Sequence, residues 1–327
     1  MSNVTENKRI EYIDLLKGFA ILWIVWWHTC HPAFIDPYYH VPLFFFISGV
    51  FFKPYPLTTF IRKKTKALLI PFVFFYLLSY IYRIGVHIWD NKTLAGFPWL
   101  NILDVFKCMP NGDYLWVNVP LWFLLCLFNV TIIYYFIHKL PLWFTYIYIL
   151  IVLTFFDYIE QISTPFFIND AIRWCAYYSL GNVLGTYYLK WIEKKGNAYF
   201  AILLTFITHL LIIIMPINSS LNIVNSLVSN TKTITFIAFI IPSFSLLKNV
   251  QNHKVLRILN FYGKNSLSVL GFHVPILIIF QRIVTKLWGG VNYWGGFFCF
   301  ASTILVLYFL LPITNKLFPN LLASGTK

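Results

Sequence analysis

Three ionisable side chains, Asp14, Lys17 and His28, fall inside one long apolar run, "EYIDLLKGFAILWIVWWHTCHP" (Glu11–Pro32). Lipid penalises such groups, so ionisable residues in membrane-length segments face a bundle interior or a cavity and mark functional sites. Lys17 and His28 are eleven positions apart. On a helix that spacing puts them about 20° apart around the axis and about 16 Å apart along it. A neutral imidazole is a good general base near pH 7. A cation lower on the same face can hold an anionic substrate. The pair suits a reaction that joins a donor on one side of a membrane to an acceptor deeper in it or beyond it. Plainer readings stand beside this one: Lys17 snorkels to the headgroups or pairs with Asp14 one turn away, and His28 is solvated at the far interface.

These side chains need a scaffold, and composition says which kind. Of 327 residues, 59% are hydrophobic, 20% aromatic and only 11% charged, with mean hydropathy +0.71. A soluble domain of this size carries more charge. Continuous apolar runs recur along the chain, which excludes the short alternating strands of a transmembrane barrel. The fold class is all-α, a polytopic transmembrane bundle of about ten helices. Spans are predicted at 12–31, 41–54, 67–89, 115–137, 141–158, 169–189, 198–217, 232–249, 265–285 and 293–315. The second is short and begins at Pro42, so a broken or tilted helix supported by protein neighbours is expected there. A cytoplasmic tail over 1–11, a transmembrane domain over 12–315 and a cytoplasmic tail over 316–327 complete the organisation. The first span is read as retained, because no small-x-small cleavage site follows it.

The net charge of +14 follows from topology. With the N-terminus inside and ten spans, eighteen of the 25 Lys and Arg fall on cytoplasmic segments and seven on external ones. The positive-inside rule therefore puts both termini in the cytoplasm. Attraction to anionic membrane lipid accounts for the remaining significance of the charge, and no nucleic-acid module is visible. Cys30, Cys108, Cys126, Cys175 and Cys299 form no CxxC pair and read as packing residues. His31 lies one turn from His28, but two histidines without a carboxylate make a poor metal site; no metal is expected. The longest external segment, roughly 90–114, is a loop or cap that ends in the turn "PNGD".

Several fragments, in order, carry a resemblance. "YIDLLKGFAILWIVWWH" is followed by "VPLFFFISGVFF", then "FIRKKTKALLIPF" (60–72), "PLWFLLCLF" (120–128), "LGNVLGTYY" (180–188) and "YGKNSLSVLGFHVPIL" (262–277). This series resembles the acyltransferase-3 family of integral membrane O-acyltransferases, and its sugar O-acetylase branch in particular. The family pattern has an Asp, a basic residue before Gly, and a His eleven positions further on. Many members have Arg where Lys17 stands here, and Lys lacks the bidentate fork of Arg.

The resemblance implies transfer of an acyl group, most often acetyl, from cytoplasmic acetyl-CoA to a sugar hydroxyl of a cell-surface glycan or its lipid-linked precursor. It makes His28 the catalytic candidate, as general base or as transient acyl carrier, with Asp14 beside it in the catalytic set. Lys17, Arg62, Lys66, Ser48 and His273 are implied as residues of the acyl-CoA site and tunnel. The bland alternatives are topology for Arg62 and Lys66, small-residue packing for Ser48 and Gly49, and a structural hydrogen-bonded role for His273. A transporter or flippase of a lipid-linked glycan is the competing reading. It predicts internal repeats and paired interrupted helices, and the sequence has one candidate interrupted helix and no repeat. A bacterial inner membrane is the expected location.

Overall fold

The computed structural model describes residues 10–29, 39–106, 115, 117–162, 164–214, 221–247 and 253–322. Cys30, His31, Cys108, Trp116 and the "PNGD" turn lie outside the described residues, as do the outermost parts of both tails. The described chain is helical throughout, without strands.

In chain order the helices are α1 (Glu11–Thr29), α2 (His40–Val50), α3 (Leu57–Lys64), α4 (Ile70–Asn91), α5 (Trp122–Ile137), α6 (Leu142–Thr154), α7 (Phe156–Glu160), α8 (Ile168–Leu180), α9 (Thr186–Trp191), α10 (Lys195–Ile214), α11 (Asn222–Leu246), α12 (Lys254–Lys264), α13 (Ser266–Trp288), α14 (Tyr293–Leu317) and α15 (Pro319–Leu322). The predicted spans fall on helices, with 141–158 running from α6 into α7 and 169–189 covering α8, a π turn and α9. Six helical stretches are long and apolar enough to cross a membrane: Leu57–Asn91, Val119–Ile137, Lys195–Ile214, Asn222–Leu246, Ser266–Trp288 and Tyr293–Leu317. The protein is a polytopic helical bundle. α1, which carries Asp14, Lys17 and His28, and α8, which has 13 residues, are not among these six stretches.

The basic segment 60–66, which by the resemblance is a loop opening the third span, is helical. Pro56 precedes the first turn of α3, and neither Gly nor Pro interrupts the chain up to Pro71. A π turn over Thr65–Leu69 then joins α3 to α4, and the Ile70 N–H reaches the Thr65 carbonyl. The extra residue absorbs the hydrogen bond that Pro71 cannot donate. α2 is unbroken. Pro42 lies in its first turn, where a missing N–H costs nothing. At about 1.5 Å per residue its 11 residues reach only about half of a ~30 Å hydrocarbon core.

Two glycine crossings hold the interior together. A Cβ on Gly18 of α1 would lie 1.9 Å from the Leu259 carbonyl oxygen, and one on Gly263 of α12 would lie 1.8 Å from that of Asp14. A Cβ on Gly49 of α2 would meet the Tyr178 carbonyl at 1.9 Å, and one on Gly181 would meet that of Phe46 at 2.0 Å. In both places the helix backbones touch, an approach that only glycine permits. Gly49 thus serves close packing, and the "GNVLG" segment forms a second π turn, Gly181–Gly185, against α2.

Proline inside two of the spans frees a carbonyl four residues upstream, and a side chain from another element takes it. Pro275 leaves the Gly271 carbonyl unpartnered within α13, and buried Asn118 donates Nδ2 to it at 2.8 Å. Pro242 does the same to Ala238 in α11, and the Tyr188 hydroxyl donates there. In a medium without water such groups must be satisfied by protein.

Candidate active site

α1 runs through the interior with α12 packed against its first half and α13 against its second. Gly18 and Gly263 mark the lower contact, and ten residues further along each chain segment His28 faces His273 with ring centroids 5.3 Å apart. Near the end of α1, Gln281 Nε2 donates to the His28 carbonyl at 3.2 Å. α13 thus meets His28 at its ring and at its backbone carbonyl.

A cavity of about 940 Å³ opens along this face of α1. Lys17, Ile21, Ile24, Trp27 and His28 line it from α1, which is the shared face expected from helical spacing. His40, Pro42, Phe44 and Ser48 line it from α2, and Ser266 and Leu270 from α13. The Lys17 ammonium lies 5.8 Å from the Phe51 ring at the end of α2. α8 runs beside α2, with Trp174 stacked on Phe45 at 5.4 Å and Tyr178 at Gly49. The cavity therefore has a Lys17 end and, at the level of the histidines, an end built by the start of α8.

That second end is polar. Asp157, Glu160, Asp170 and Arg173 all line it. Arg173 Nη1 lies 2.7 Å from Glu160 Oε2, and Arg173 Nη2 donates to Asp170 Oδ1 at 3.2 Å. The guanidinium packs against the rings of Phe156 at 4.6 Å and Trp174 at 5.1 Å. Asp157 accepts from Ser226 Oγ at 2.7 Å. Asn230 accepts from the Tyr177 hydroxyl at 2.5 Å and donates to the Leu153 carbonyl at 2.9 Å.

The sequence candidates take three kinds of place. Lys17, His28 and Ser48 line the cavity. Asp14 is buried at the α1–α12 crossing and is not among the lining residues. His273 is fully buried behind His28, with Nδ1 2.9 Å from the Val269 carbonyl and 3.0 Å from that of Leu270. Arg62 and Lys66 are exposed on α3 and the π turn, where Ala67 and Leu68 reach the cavity instead. His40, given no role by sequence, lines the wall. The cluster around Arg173 also escaped notice, although the pattern Asp157, Glu160, Asp170, Arg173 in otherwise apolar helices was a usable signal.

The arrangement can hold an anion near Lys17, place an imidazole at the other end of the same face, and present hydroxyl-binding groups across the cavity from it. The acyltransferase-domain family Acyl_transf_3 matches residues 10–320. Among curated proteins and among solved structures nothing matches the chain. The family match takes in every cavity-lining residue together with the bundle that supports them, and the chain thus belongs to the acyltransferase-3 family and is a multi-pass membrane acyltransferase.

Proposed function

We propose that the protein moves an acetyl group from cytoplasmic acetyl-CoA to a hydroxyl of a cell-surface polysaccharide or its lipid-linked sugar precursor, in a bacterial inner membrane with both termini in the cytoplasm. The observation that carries this reading is that Lys17 and His28 open on one cavity in a chain of this family.

Acyl-CoA is a polyanion, and it enters at the Lys17 end. Lys17 pairs with the diphosphate at the head of the uncharged pantetheine arm, while Arg62 and Lys66 on the neighbouring basic helix meet the phosphate on the nucleotide. His28 takes the proton of the acceptor hydroxyl as its oxygen attacks the thioester carbonyl. The C–S bond breaks, the new ester C–O bond forms, and the imidazolium returns its proton to the departing CoA thiolate. Ser48 lines the channel between the two substrates. Asp14 acts from the crossing below, through the placement of α1. His273 supports the His28 ring.

Membranes containing the protein are incubated with radiolabelled acetyl-CoA and host glycans, with wild type and His28→Ala at matched expression. Alkali-labile label on glycan with wild type alone is the expected result. Equal label with both overturns the role of His28, and no label from any acyl-CoA overturns the donor assignment.

A further inference from the structure

We propose that the cluster Asp157, Glu160, Asp170 and Arg173 is the acceptor subsite, and that it selects a polyhydroxylated acceptor ring without net negative charge. The inference rests on the acyl-transfer reading for its place in the reaction, but its evidence is separate.

Position is the first observation. The cluster lies on the same cavity as His28, at the end remote from Lys17. Asp170 is eleven residues before Gly181 on one continuous helical path, or about 16 Å along it, and Gly181 lies against α2 toward the Lys17 end. An acceptor seated at the cluster therefore lies about level with His28 across the cavity, while a donor reaches His28 from the Lys17 end, about 16 Å away along α1.

Chemistry is the second. Three carboxylates and one guanidinium line this part of the cavity, and the guanidinium is already held by Glu160 and Asp170. The positive charge is spent within the cluster, and the remaining sign is negative. Such a wall repels the phosphates of acyl-CoA and the carboxylate of a uronic acid, and it accepts hydrogen bonds from neutral hydroxyls. Trp122, Phe123, Phe156 and Trp174 supply apolar ring surface beside these acceptors. Flat apolar surface next to hydroxyl acceptors fits the two-faced character of a sugar ring.

Unsatisfied polar atoms are the third. Arg173 and Trp174 are each more than nine-tenths buried and line the cavity, yet Arg173 Nε and Trp174 Nε1 have no hydrogen-bond partner among the described residues. Buried donors of this kind are rare unless something is meant to meet them. Glu160, by contrast, is 60% exposed while Arg173 is 5% exposed, so the cluster runs from the bundle surface to its interior and offers an entry path.

The test uses the full-length protein in lipid nanodiscs with two probes, a p-nitrophenyl β-glucoside and the corresponding glucuronide. Both are measured for equilibrium binding and as acceptors from labelled acetyl-CoA. Glu160→Gln and Asp157→Asn are the variants, because both residues are partly solvated and keep their shape on amidation, whereas Asp170→Asn strands the buried Arg173. Wild type should bind the neutral probe about tenfold more tightly than the anionic one, and the double variant should narrow that ratio to within about threefold. In transfer assays the acceptor KM should rise about tenfold in the double variant, with the acetyl-CoA KM changed less than twofold. Equal binding of the two probes by wild type, or a ratio untouched by the variants, overturns the subsite. Charge-selective binding without any acyl transfer upholds the subsite and overturns the acyl-transfer reading instead.

Discussion

The ring of His273 lies 5.3 Å from that of His28, tilted by 45°, and is the buried one of the pair. Its Nδ1 faces two backbone carbonyls, which only accept, so Nδ1 carries the hydrogen and Nε2 of the neutral ring is an acceptor. Nε2 is buried without a protein partner among the described residues. His273 is therefore a rigid imidazole behind His28 with its lone pair unspent, and it is suited to position the ring in front of it.

His273→Phe keeps bulk and burial but removes the lone pair. It should lower kcat for acyl transfer on the order of tenfold or more and leave the acyl-CoA KM within twofold. His273→Gln should recover part of the loss. A change in KM alone, or no recovery with Gln, would reduce His273 to packing.

Lys17→Met should raise the apparent KM for acetyl-CoA by about tenfold, with a smaller effect on kcat, because one charge-assisted contact is lost. Lys17→Arg should keep most of the affinity. Donor titrations in proteoliposomes measure this, and an unchanged KM in the Met variant would take Lys17 out of the donor site.

Gly18→Ala and Gly263→Ala each push a methyl against backbone at under 2 Å. Backbone cannot rotate away, so each should cost about 3 kcal/mol, the upper end for overpacking. Gly85 in α4 has nothing within 4 Å of its Cβ position, and Gly85→Ala should be neutral or stabilise by about 0.5–1 kcal/mol. Thermal unfolding in detergent compares all three. Equal midpoints would mean the crossing is looser than described.

Asn118→Leu leaves the Gly271 carbonyl without its donor and should cost about 1–3 kcal/mol. In a Pro275→Ala background the helix can supply its own N–H, and the same substitution should cost less. The double-mutant cycle reads the coupling directly, and additive effects would show that Asn118 acts elsewhere, for example through Ser79, to which it also donates at 2.9 Å.

The span pattern was legible because apolar length and charge are local properties of a chain that must satisfy its backbone in lipid. Lys17 and His28 were placed on one face by helical period alone, and the cavity bears out that geometry. The basic segment 60–66 was read as a loop on the resemblance, and it is helical because Pro56 starts a helix that neither Gly nor Pro interrupts before Pro71. α12 was passed over because its 11 residues are too short and too polar for a span, and its partner is α1 rather than lipid.

By itself, then, the amino-acid sequence determined an all-helical membrane bundle, the pairing of a cation and an imidazole along α1, and the series of fragments that resembles the acyltransferase-3 family. The first two follow from composition and period within single helices, and the third from the order of motifs along the chain. Tertiary structure decided which elements surround His28, that His273 stands behind it, and that Asp157, Glu160, Asp170 and Arg173 share its cavity. These groups come from helices far apart in the chain. Their meeting depends on backbone crossings at Gly18–Gly263 and Gly49–Gly181, and such crossings are properties of pairs of helices that no single segment records.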